Sequence, residues 1–148
     1  MPIPAQGRFE GTRFLFPLRV YFEDTDTMGI VYYPNYLKWF ERARWEMLRA
    51  AGVDLLASQS DGRGAYAVSE VQIKYHRSAR LDDAVTVISE LVELRASSVL
   101  VQQKAMREDE LLASARLRVA FISPEGRPRR QPRDWMQIFE PLLSKDSE

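Results

Sequence analysis

Residues 19–44 read RVYFEDTDTMGIVYYPNYLKWFERAR, and this stretch sets an acidic turn directly in front of an amphipathic helix. Leu18, Val20 and Phe22 alternate with Arg19, Tyr21 and Glu23, the period-two pattern of a half-buried strand. The alternation stops at Asp24-Thr25-Asp26, so chemistry is expected where the strand ends. Pro34 fits the first helical position, where a missing N–H costs nothing, and Gly52 marks the stop. At about 100° per residue, Tyr36, Leu37, Trp39, Phe40, Ala43, Met47, Leu48, Ala50 and Ala51 cover about half the circumference, opposite Lys38, Arg42, Glu46 and Arg49. So wide an arc predicts a helix embedded in a curved sheet with one solvated strip. Arg44 falls inside the arc, where it needs a carboxylate or carbonyl partner, or must reach out to the edge. Trp45 falls in the polar arc, a candidate for a further contact.

Working outward, Ser58 to Gly64 is a polar loop by its turn residues. Four strand-like segments follow, Ala65 to Arg77, Asp83 to Leu94, Ser98 to Arg107 and Leu111 to Ser123. Short polar turns separate them, which implies antiparallel neighbours. Asp134 to Leu143 reads as a short helix that Asp134 could cap. One long helix, four to five antiparallel strands and a late helix make an α+β domain.

The 148 residues, 45% of them hydrophobic, suffice for one core. Lys plus Arg and Asp plus Glu both number 21, so no net field draws the chain to nucleic acid or an acidic membrane. Cysteine is absent, which removes disulfides, thiolate metal ligands and a thiol nucleophile, and makes the cytoplasm the expected compartment. No apolar run nears the roughly 20 residues of a spanning helix, and no signal-peptide pattern opens the chain.

The run Glu23, Asp24-Thr25-Asp26, Gly29-Ile30-Val31-Tyr32, Asn35-Tyr36 and then Glu41-Arg42-Ala43-Arg44 closely resembles the signature of the 4-hydroxybenzoyl-CoA thioesterase family. Within that family it is most similar to the bacterial acyl-CoA thioesterases associated with the Tol-Pal cluster. The likeness extends through Tyr75 to Asp83 and Gly126 to Pro132. It implies the hot-dog fold, an antiparallel β-sheet wrapped around one long central helix, over residues 15–143, with 1–14 and 144–148 as flexible tails. It also implies an acyl-CoA substrate, or an acyl carrier protein as the alternative donor, and a homodimer or homotetramer in which edge strands join. No cofactor and no metal is implied.

Thioester hydrolysis needs a carboxylate or base beside the carbonyl carbon and donors aimed at its oxygen. The helix start has free N–H groups and a positive dipole end, so the amides of Tyr33 or Gly29 are candidate donors. By resemblance, the Tyr33 amide polarises the carbonyl while Asp26 attacks it or activates water, and Gly29 lets the backbone approach closely. Some relatives carry histidine at the position of Tyr33. Its absence here leaves Asp26 to act without histidine. Glu23 and Asp24 read as turn or surface acids, Asn35 as a turn ligand, and the single histidine, His76, as structural. For the nucleotide, Arg95, Arg127, Arg129 and Arg130 are the candidates, with Arg133 beside them.

Three rivals stay in view. Asp24-Thr25-Asp26 also suits a Mg²⁺-dependent phosphatase, but Met28 and the short chain argue against that fold. A hot-dog hydratase or dehydratase would pair an acid with histidine. A binding or scaffold protein would keep the fold without turnover.

Overall fold

The computed structural model describes residues 1–4 and 6–144, so most of the expected C-terminal tail lies outside the described residues. Among these, six strands form one antiparallel sheet in the order β1-β2-β4-β5-β6-β3. They are β1 (Arg8–Glu10), β2 (Arg13–Arg19), β3 (Ala65–Tyr75), β4 (Ala84–Leu94), β5 (Ser98–Arg107) and β6 (Glu110–Ile122). The helices are α1 (Asn35–Ala51), α2 (Leu55–Ser60) and α3 (Arg133–Phe139), the last continued by a 3-10 turn over Glu140–Leu142. This is the expected α+β hot-dog layout, a sheet packed on one long helix. No helix is long and apolar enough to cross a membrane.

β4, β5 and β6 alternate strictly along most of their length because one face is core. Val85, Val87, Ser89 and Leu91 point inward from β4, with Val99, Val101, Gln103 and Ala105 on β5 and Ala115, Leu117, Val119 and Phe121 on β6. Against them α1 buries Tyr36, Trp39, Phe40, Ala43 and Met47. Each large apolar side chain so buried contributes about 1.5–3 kcal/mol. Leu37 and Ala50, placed by their angles in the apolar arc, remain exposed, because within one protomer the sheet closes over only part of that arc. Gly52 ends α1 at φ 98°, with its N–H donating to the Arg49 and Leu48 carbonyls, the left-handed stop that favours glycine.

Three expectations need correction. The strand before the acidic turn ends at Arg19 rather than at Glu23. Val20 still exchanges hydrogen bonds with the 82–83 turn (Val20 N–H to Asp83 O, 2.9 Å), but Phe22–Asp24 coils into a 3-10 turn and Phe22 is 81% exposed. The polar stretch from Ser58 is in part helix: Asp54 caps α2 by accepting the Ala57 N–H at 2.9 Å, and the buried Ser58 hydroxyl donates to Gly64 O at 2.9 Å. At the N-terminus, strand pairing begins before residue 15, since Arg8–Glu10 pairs with Arg13–Leu15.

β3 lies at one edge of the sheet. Eleven residues long, it pairs with β6 on one side only and leaves Val68, Val71 and Tyr75 more than 40% exposed. An uncovered edge of this length is a template for another strand.

Candidate active site

The loop from β2 to α1 is tied down almost entirely by its own backbone. The Asp24 carboxylate accepts the Tyr21 N–H at 2.8 Å, and the Asp24 carbonyl accepts both the Tyr32 N–H (2.9 Å) and the buried Asn35 amide (2.8 Å). Asp24 and Asn35 are thus turn ligands, as their types suggest. A second small turn is closed by Asp26 N–H to Ile30 O at 2.8 Å and Gly29 N–H to Asp26 O at 3.1 Å, with Gly29 at φ 79°. That left-handed backbone is why glycine stands there. The Val31 N–H then reaches Ala79 O at 2.9 Å, anchoring the loop to the β3–β4 connection.

On this frame Asp26 is exposed, and its Oδ1 accepts the Met28 N–H at 2.8 Å. Its other carboxylate oxygen has no partner among the described residues. Tyr33 stands one residue before Pro34 at the head of α1, a helix of 17 residues. Its amide has no acceptor among the described residues, whereas the Gly29 amide is committed to Asp26 O. Of the two candidate donors, Tyr33 is the one left available, and it sits at the positive end of the α1 dipole.

The Tyr33 ring packs edge-on against Tyr75 at 5.7 Å, and Tyr75 in turn against Tyr36 at 5.6 Å. The Tyr36 hydroxyl accepts the Ala79 N–H at 3.0 Å. Burial raises the hydroxyl pKa of both Tyr36 and Tyr75, so these rings are neutral walls and not bases at ordinary pH. His76 places Nε2 3.0 Å from the Ser114 hydroxyl on the exposed surface. Among the described residues no group of His, Cys, Asp or Glu side chains gathers as a metal site.

The candidate nucleotide-binding arginines divide by what they already hold. Gln131 joins their two segments, its amide donating to Arg95 O at 2.8 Å and its backbone N–H to Ala96 O at 2.8 Å. Arg95 is ion-paired with Glu93. Arg129 donates from Nη1 to Gly62 O (3.0 Å) and Arg63 O (2.7 Å), which clamps the α2–β3 loop. Arg127 and Arg130 are exposed, and their side chains have no partner among the described residues.

A cavity of about 480 Å³ opens between the middle of α1 and the start of β3. Its wall is mostly apolar, includes Tyr66, Val68, Val99 and Phe139, and carries Glu41, Arg44 and Trp45. The Tyr66 hydroxyl is hydrogen-bonded to Gln131, linking this wall to the arginine segment. Both the cavity and the arginines thus belong to the Ala65 end of β3, whereas Tyr33 touches Tyr75 at the other end. At about 3.3 Å per residue, ten steps of strand separate those ends by about 33 Å.

The model of the family described as "Thioesterase superfamily" matches residues 28–114. The chain belongs to the thioesterase superfamily. One relative, the acyl-CoA thioesterase YbgC of Haemophilus influenzae, is 38% identical over 74% of this chain and 80% of its own. Another, the acyl-CoA thioester hydrolase YbgC of Escherichia coli O6:H1, is 35% identical over 87% of this chain and 97% of its own. Among solved structures, a 4-hydroxybenzoyl-CoA thioesterase complexed with 4-hydroxybenzoyl-CoA superposes with a TM-score of 0.81 over 87% of this chain and 99% of that one. At 22% identity it speaks for the hot-dog fold alone. In this thioesterase-superfamily chain, two features of the site escaped sequence reasoning. They are the Tyr33–Tyr75–Tyr36 cluster and the polar contact that Arg44 makes with Gln103. Only the misfit of Arg44 in an apolar arc signalled the last.

Proposed function

We propose that this chain hydrolyses short-chain or aromatic acyl-CoA thioesters to the carboxylic acid and free CoA. Asp26 supplies the carboxylate and the Tyr33 amide the contact to the carbonyl oxygen. The observation that carries this reading is the pairing, on one loop, of an exposed carboxylate with an unused amide at a helix N-terminus. As the carbonyl carbon becomes tetrahedral its oxygen gains charge, and a fixed donor there is worth about 3–4 kcal/mol. Asp26 either adds to that carbon or removes the proton of an attacking water. The C–S bond then breaks and CoA leaves as thiolate, to be protonated by solvent; where Asp26 has added, water hydrolyses the resulting acyl–Asp26 anhydride, which releases the acid and restores the carboxylate. The names of the Haemophilus and Escherichia relatives support the same substrate class.

The active unit we propose is a homodimer joined through β3, from which a tetramer could be built. Antiparallel pairing of two β3 edges about a dyad sets Tyr75 of one protomer opposite the Ala65 end of the other. Asp26 and Tyr33 then face a partner's cavity and arginines, and Arg95, Arg127 and Arg130 lie where a CoA nucleotide can be held, with Arg129 shaping the loop beside them. An acyl carrier protein shares the pantetheine arm and is the alternative donor. The test is thiol release from acetyl-, butyryl-, palmitoyl- and 4-hydroxybenzoyl-CoA and from acyl carrier thioesters. Release from the short or aromatic esters is expected. Silence on every one would overturn the reading.

A further inference from the structure

The cavity beside α1 has one feature that a plain acyl pocket does not need, a cation in its wall. Arg44 is half-buried, and its Nη1 donates to the Gln103 side-chain carbonyl at 3.0 Å. Gln103 is fully buried, and its amide nitrogen donates to Phe40 O and to the Ser89 hydroxyl, both at 2.9 Å. Those two bonds fix the amide so that its oxygen faces the guanidinium. This holds one N–H of five and brings no negative charge. Among the described residues no carboxylate stands within 4.0 Å of Arg44. Glu41, three residues earlier on the helix, acts on it from a distance and is itself exposed. Burial lowers the pKa of Arg44, yet a guanidinium stays charged at any ordinary pH. The result is a positioned cation with no carboxylate at ion-pair distance, in a mostly apolar wall that includes Met47, Leu48, Val99, Val101 and Phe139 and whose polar members besides Arg44 are Glu41, Gln59 and Tyr66. Its volume suits a small ligand, pockets for which span about 300–1,000 Å³.

We propose that this cavity is an acyl chamber in which Arg44 selects acyl groups that are apolar along their length and end in a carboxylate, dicarboxylic acids carried as mono-thioesters. The inference rests on the thioesterase reading and deepens it. The apolar wall accepts the methylene chain, and the free N–H groups of Arg44 take the terminal carboxylate, in the paired geometry a guanidinium favours. A neutral chain of equal length leaves the half-buried cation without a paired carboxylate.

The probes are adipyl-CoA and hexanoyl-CoA, equal in chain length and differing in the terminal carboxylate. The native protein is expected to favour adipyl-CoA by at least about tenfold in kcat/KM, most of it in KM, as for a desolvated charge pair. Arg44→Met should bring that ratio to one or below, and Arg44→Lys should leave part of it. Calorimetric binding of the same esters to Asp26→Asn protein should give the same order. A native ratio of one or less overturns the proposal, as does a ratio that survives in a folded Arg44→Met protein. If the Met variant does not fold, the native ratio and the Lys variant decide. If neither ester is hydrolysed, the thiol-release panel given above decides the thioesterase reading, and the binding order decides the role of Arg44 by itself.

Discussion

Replacing Asp26 by asparagine separates chemistry from folding more cleanly than any other change in this chain. The carboxylate is exposed, forms no ion pair among the described residues, and receives one hydrogen bond, from the Met28 N–H at 2.8 Å. Asparagine keeps an oxygen at that position and so keeps the small turn closed. The expected cost in stability is within about 0.5 kcal/mol, a melting shift of no more than about 2 °C. The reaction loses far more. An amide can neither add to the thioester carbon nor take a proton from water, and removing a group in that role lowers kcat by about 10²–10⁴, or about 3–5 kcal/mol of barrier. The carbonyl contact through the Tyr33 amide is untouched, so KM should move little. The assay is thiol release at saturating butyryl-CoA or 4-hydroxybenzoyl-CoA beside a thermal melt. A folded variant that keeps kcat within about threefold of the native value would refute the role given to Asp26.

Four more outcomes are expected. Gln103→Leu removes the acceptor that holds half-buried Arg44 and leaves the Ser89 hydroxyl without its partner in the core, and should cost about 2–4 kcal/mol in urea unfolding; a loss under about 1 kcal/mol would mean that water replaces the amide. Arg129→Ala should lower the melting temperature by releasing the Gly62 and Arg63 carbonyls, whereas Arg130→Ala should raise KM for CoA esters and leave melting unchanged; the reverse pattern would exchange their roles. Burial alone would raise the Asp83 carboxyl, but the Arg80 N–H (2.8 Å) and the Arg107 guanidinium (2.7 Å) outweigh it and hold the pKa below the usual carboxylate range. Its stabilisation is therefore complete above about pH 4 and is lost as pH falls through the lowered value, so Asp83→Asn should flatten the acid limb of a stability profile measured by urea midpoints from pH 3 to 6. Val68→Lys combined with Val71→Lys sets like charges along the β3 edge and should leave monomers in size-exclusion chromatography; a persistent dimer would place the interface elsewhere.

Strands were legible wherever burial alternates. Ser98–Arg107 starts and stops where its residues say, because every second side chain meets the core and charged turns flank it. Phe22 misled the same logic: an aromatic in phase with Leu18 and Val20 reads as buried, but the Asp24 carboxylate bends back to the Tyr21 N–H and turns the ring outward. In α2 the serines of its last turn hid the helix, while Asp54 ahead of Leu55 and Leu56 was the available sign. The acidic turn, Gly29 and Pro34 could be read because each is a local backbone requirement. What Arg44 touches could not, since Gln103 lies 59 residues away on a strand and is polar in an inward phase. The same holds for the size of the cavity, which is set by elements that meet only in three dimensions.

The length of β3 carries a consequence for how such a protein is switched on. On the proposed dimer each protomer holds both halves of a site and yet no site of its own, since about 33 Å of strand keeps them apart. Catalysis then belongs to the encounter between copies. Specific activity should fall on dilution as the pair dissociates, and newly made chains stay silent until they meet. Two dead variants, one lacking Asp26 and one with the cavity filled, should regain a working centre when mixed, because one of the two sites in each hybrid is assembled from undamaged halves.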